Sequence, residues 1–172
     1  MTSQTVRATT AAESRYRINT PNSKGRSTLV LGLEASSADL MCEMAGLEWN
    51  GARFRTVVPA AGARKPAKGL SVDADDLVLQ APDGELSRLS DELASTDVVV
   101  MFARSGEVAQ AASVVGDAAF GRHLMTAGFV LDEQDDRQAL EVTLAAVRPF
   151  VISLVVGSDA DAFSETLYAI RA

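Results

Sequence analysis

The segment Val98-Val99-Val100-Met101-Phe102-Ala103 limits the possible folds more than any other part of the chain. It is six apolar residues with no polar alternate, introduced by Asp97 and ended by Arg104-Ser105-Gly106. A strand wetted on one face alternates apolar and polar residues, whereas one covered on both faces reads as a continuous apolar run. The segment is therefore predicted to be a central strand with helices above and below it, the signature of an α/β domain.

The flanking sequence repeats a strand–helix rhythm. Thr28 to Leu33 reads as a first strand. Ser36 with Asp39 three residues on resembles a capping box, and Leu40, Met44 and Leu47 mark one face of the helix that follows. Arg53 to Val58 alternates, which suits a half-exposed strand near a sheet edge. Asp76 to Gln80 reads as a short extra strand able to pair beside it. Pro82-Asp83-Gly84-Glu85 reads as the start of a second helix carrying Leu86, Leu89 and Leu93. After the central strand come a third helix through Val108, Ala112 and Val115, a fourth strand at Leu124–Leu131 and a fourth helix at Asp132–Val147. A fifth strand, Phe150–Val156, leads through a Ser158/Asp161 capping pair into a last helix with Phe163, Leu167 and Ile170 inward. The expected fold is α/β, a three-layer αβα sandwich around a five-stranded, mostly parallel sheet of order 2-1-3-4-5. In that order the apolar fifth strand is an edge, and apolar edges are normally covered.

Residues 1–26 are polar and carry Arg7, Arg15, Arg17, Lys24 and Arg26 against Glu13 alone. They read as a basic arm ahead of a single domain at 27–172. The chain's net charge is −7, so the arm's +4 leaves −11 for the rest. An acidic body argues against nucleic acid as a partner, because that binding rests on neutralising phosphates. Arg64, Lys65 and Lys68 on an Ala/Gly/Pro loop read as a solvated turn. With 47% apolar and 23% charged residues in 172, a sizeable core can be buried. One cysteine, Cys42, and one histidine, His123, exclude an internal disulfide and a Cys/His zinc site. They fit a cytoplasmic, reducing setting. No apolar run reaches the roughly 18 residues of a membrane span, and no secretory h-region precedes the domain.

Ligands of open α/β sheets sit beyond the carboxyl ends of the strands, where the strand order reverses. Those ends place Ser36 and Ser37 after the first strand and Arg104, Ser105 and Gly106 after the central one. The candidate ligand site is these five residues. A guanidinium, hydroxyls and a glycine at a helix entrance suit a phosphate. Glu34, Glu107, Asp132, Glu133 and Asp159 surround them, and Arg104 is expected to pair with Glu34 or Glu107. Such acids also suit Mg²⁺, but acids after strands commonly cap helices, and no metal is assigned.

The stretch Asp97 to Ala103 followed by Arg104-Ser105-Gly106-Glu107-Val108 resembles the central motif of sugar isomerase (SIS) phosphosugar-binding domains, a strand followed by Ser-x-Ser-Gly-Glu-Thr and a helix. Leu31-Gly32-Leu33-Glu34-Ala35-Ser36-Ser37 resembles that family's Gly-x-Gly-x-Ser segment. The resemblance spans residues 27–131. It implies an SIS-like or flavodoxin-like fold and a sugar phosphate held by Ser37, Ser105 and Gly106. Ala103 and Val108 replace two phosphate-facing hydroxyls of the motif, and Glu34 stands where its second glycine is common.

No dinucleotide fingerprint, P-loop or nucleophile elbow occurs. His123 falls ahead of the fourth strand, away from the candidate site. Two functions are therefore expected. The first is a non-catalytic accessory or interaction subunit, assembling with itself or with a protein partner. The second is a module that binds a phosphorylated small molecule, a sugar phosphate or a nucleotide. No cofactor and no catalytic residue is assigned.

Overall fold

The computed structural model describes residues 26–58, 77–170 and 172. The expected basic arm, apart from Arg26, and the basic loop with Arg64, Lys65 and Lys68 lie outside the described residues, as does Asp76. Seven strands form one sheet: β1 (Thr28–Gly32), β2 (Ala52–Val57), β3 (Val78–Gln80), β4 (Leu86–Arg88), β5 (Val98–Arg104), β6 (Met125–Leu131) and β7 (Ser153–Gly157). Five helices accompany them: α1 (Ala38–Ala45), α2 (Leu89–Leu93), α3 (Ala111–Gly121), α4 (Arg137–Val147) and α5 (Ala160–Ala169). Single 3₁₀ turns stand at Ala35–Ser37 and Arg148–Phe150.

The strand order is β4-β3-β2-β1-β5-β6-β7. This corrects the expected five-stranded sheet of order 2-1-3-4-5. The five strands β2-β1-β5-β6-β7 are mutually parallel, and the antiparallel strands β3 and β4 extend the sheet beyond β2. The physical reason lies in Pro82-Asp83-Gly84-Glu85, which starts no helix. It is a hairpin turn with Gly84 at φ +91°, where an L side chain would be strained. Gly84 N–H donates to Ala81 O at 2.9 Å and Ala81 N–H to Glu85 O at 2.8 Å. Leu86 is consequently an exposed strand residue, and α2 is confined to Leu89–Leu93. The hairpin also removes β2 from the sheet edge.

Two cores sandwich the sheet. On one face Leu40, Met41 and Met44 of α1 and Phe163 and Leu167 of α5 close over Val30, Val100, Phe102 and Phe129. On the other, α2, α3 and α4 bring Leu89, Leu93, Ala112, Val115 and Val147 onto Leu29, Leu31, Val99 and Met101. Both faces of β5 are thus buried, which is why its sequence shows no alternation. The chain leaves β1 over one face and enters β5 from the other, so the topological switch lies between β1 and β5.

Candidate functional site

The carboxyl ends of β1 and β5 bring Ser36, Arg104, Ser105 and Gly106 to one rim. Ser37 belongs to the same 3₁₀ turn but is fully buried. Its side chain folds back over Gly32, where an added Cβ would stand 2.7 Å from Ser37 Cβ. Glycine at position 32 is what allows this close return of the chain. Ser36 is not the helix cap its sequence suggests. Its hydroxyl donates to the Glu107 carboxylate, and no side chain caps α1. Capping at α5 also differs from expectation: Asp159 rather than Ser158 accepts from the helix, at 2.8 Å from Ala162 N. That bond and one from the Ser158 hydroxyl hold the Asp159 pKa below its ordinary value.

Glu107 ties the two turns together. One carboxylate oxygen takes the Ser36 hydroxyl and the other accepts from Arg104 N at 2.9 Å. The Arg104 guanidinium, expected from sequence to pair with Glu34 or Glu107, pairs with neither; its Nη1 lies 2.6 Å from Glu133 Oε2. Thr143 of α4, which sequence reasoning did not single out, donates to Glu107 O at 2.8 Å and lies 3.2 Å from Arg104 O. Gly106, at φ +92°, turns its N–H to Ala139 O at 3.2 Å. Ser105 N–H donates to Leu131 O and Glu107 N–H to Arg104 O.

An anion cradle needs free amides, and every N–H from 104 to 107 already has a protein acceptor. The charge points the same way. Burial first, and then the Glu107 charge, raise the Glu34 pKa above the usual carboxylate range, while a hydrogen bond from Ala109 N–H pulls it back. Among the described residues the Ser37 and Ser105 hydroxyls and Asp132 Oδ1 are buried without a partner. Among the described residues no group of three or more His, Cys, Asp or Glu is placed to hold a metal ion. The lone His123 is exposed and sits before β6, at the opposite end of the sheet from this rim.

Replacing Glu107 by Gln is expected to bring the Glu34 pKa down toward its ordinary value, leaving the part due to burial. A raised carboxyl pKa favours the fold while the group is protonated, and that contribution is lost as pH rises through the folded-state value. The loss attributable to Glu34 should therefore shrink in E107Q. An NMR pH titration of the Glu34 side chain checks this, and an unchanged midpoint would remove Glu107 as a cause.

The second concentration of unusual surface lies at β7, which among the described residues is an unpaired edge of the sheet. Residues 149–157 carry no charge. Ile152 is 77% exposed, Val155 40% and Val156 46%, and neighbouring Phe120 at the end of α3 is 79% exposed. A groove of about 370 Å³ runs between Gly116, Phe120 and Leu124 on one side and Phe150 and Ile152 on the other. The described residues contain no helix long and apolar enough to cross a membrane. Compared with protein-family models, curated proteins and solved structures, the chain matches none of them.

Proposed function

We propose that the protein is a non-catalytic interaction subunit whose working surface is the β7 edge, and that the rim around Arg104 is a structural junction. The observation that carries this reading is the uncharged run at an open edge. Sheet edges exposed to water are ordinarily guarded by Lys, Glu or Pro, because their free N–H and C=O groups template further pairing. Here the strand itself carries no guard, and its apolar side chains stand open on both faces of the sheet.

The rim supports the complementary half of the reading. Among the described residues, the amides of the 104–107 turn are engaged by protein acceptors, the guanidinium of Arg104 is paired with Glu133, and Glu34, Glu107 and Asp132 add further acidic groups. Phosphosugar binding, which the SIS resemblance implies, would require displacing those internal bonds. A thermal-shift panel of glucose 6-phosphate, fructose 6-phosphate and ATP tests this directly, since a ligand raises Tm in proportion to RT ln(1 + [L]/Kd). No shift is expected at millimolar ligand. A shift that Arg104→Ala abolishes would overturn the reading in favour of a phosphate-ligand module at Ser36, Ser37, Arg104, Ser105 and Gly106.

A further inference from the structure

We propose that the occupant of the β7 edge is a second copy of this chain, paired antiparallel so that two seven-stranded sheets run on as one. This deepens the reading of β7 as a contact surface and rests on it.

The hydrogen-bond phase of the sheet fixes which residues are available. Ser105 N–H donates to Leu131 O, so the odd-numbered residues of β6 address β5. Asp132 N–H donates to Gly157 O, so the even-numbered residues of β6 address β7, and Gly157 faces inward. Because alternate residues point to opposite sides of a strand, Val155 also faces β6, and Leu154 and Val156 turn their N–H and C=O outward. Two outward residues flanking one inward residue are the pattern that a two-fold antiparallel pair requires. Leu154 would exchange both bonds with the partner's Val156, and Val156 with the partner's Leu154, about an axis at Val155.

The side chains fit that register. Leu154 belongs to the α3/α4 face of the sheet, so on that face each Leu154 meets the partner's Val156. On the α5 face, Val155 meets the partner's Val155 at the axis, the closely spaced non-hydrogen-bonded position. No charge opposes another along the joined strands. The antiparallel sense also keeps like charges apart. Asp159 caps α5 and Asp161 lies in its first turn, so in the pair these acids fall at opposite ends of the combined surface, whereas parallel pairing would set them side by side.

The area is of the right order. Ile152, Val155, Val156 and Phe120 expose on the order of 400 Å² of apolar surface per copy. With the strand backbone and the flanks of α4 and α5, two copies approach the ~1,000 Å² that marks a specific interface. An isologous contact of this type closes on itself, which stops the unguarded edge from recruiting further chains.

The test uses the full chain. In a Cys42→Ser background, Val155→Cys places two thiols across the axis at a separation a disulfide accepts, because non-hydrogen-bonded antiparallel neighbours stand about 4.5 Å apart at Cα. Ser153→Cys is the register control, since its neighbour across the pair is the partner's Gly157. Mild oxidation is expected to convert most V155C to a covalent dimer and little S153C. Sedimentation equilibrium of the Cys42→Ser chain should give a dimer, and Val155→Lys, which sets two ammonium groups at the axis, should weaken it at least tenfold while Tm stays that of a folded monomer. A chain that remains monomeric to its highest soluble concentration, or a dimer in which V155C cross-links no better than S153C, overturns the proposal. The broader reading of the protein as a non-catalytic interaction subunit fails on different grounds, the Arg104-dependent ligand shift described above.

Discussion

Phe102→Ala is expected to lower the unfolding free energy by about 3–5 kcal/mol, the usual range for a buried Phe truncated to Ala. Phe102, Phe129 and Phe163 are fully buried or nearly so and form one aromatic cluster beneath α5. The Phe163 ring lies 4.8 Å from each of the other two, tilted by 45° and 49°. Phe102 and Phe129 stand 6.2 Å apart on neighbouring strands. Truncating Phe102 removes one of the two strand rings against which Phe163 packs, and the surrounding parallel strands cannot move in to fill the space. Urea denaturation should show a lower midpoint with an unchanged m-value. A loss below about 1 kcal/mol would mean that the cluster is not closely packed.

A second large loss, about 2–4 kcal/mol, is expected for Glu92→Ala. Glu92 is a buried acid on α2. Its Oε1 accepts from Arg55 Nε at 2.7 Å and from the Ser87 hydroxyl at 2.9 Å, and its Oε2 lies 3.3 Å from Arg53 Nη1. These bonds join β2, β4 and α2, the elements that extend the sheet beyond its parallel part. Exposed ion pairs contribute little, but removing one partner of a largely buried pair leaves the others desolvated and uncompensated. Arg55 would be the group most affected, because it is more deeply placed than Arg53. Glu92→Gln retains the acceptor oxygen while losing the charge, so it should fall between wild type and Glu92→Ala. Equal stability of all three by chemical denaturation would show that the bonds contribute nothing net.

The legible parts of the fold were those with a strong periodic signal. The unbroken apolar run at 98–103 fixes a doubly covered strand, and the recurrence of apolar strands and amphipathic helices fixes a parallel sheet with helices on both faces. The β3–β4 hairpin was hidden because Pro-Asp-Gly-Glu satisfies helix-start and turn chemistry equally well, and three-residue strands are too short to display alternation. The apolar character of the last strand was legible, as was its conflict with an edge position.

At the rim, the sequence placed Ser36, Arg104, Ser105 and Gly106 together because strand ends and helix starts are local features. It could not give their partners. Glu107 reaching Ser36 and Thr143 reaching the 104–107 turn are contacts across 71 and 36 residues of sequence, and nothing in the local pattern encodes such distances. The difference matters chemically: a turn that reads as an anion cradle in one dimension is closed by its own carbonyl and carboxylate acceptors in three.

The amides of Leu154 and Val156 report on the edge most directly. Measured by NMR hydrogen exchange at a low and a high protein concentration, with Val99 and Val100 in the sheet centre as internal reference, both should exchange at least tenfold more slowly at the higher concentration, while the reference amides stay unchanged. Equal and fast exchange of Leu154 and Val156 at the two concentrations would show an edge that stays open to water, contradicting the proposal that this chain assembles through it.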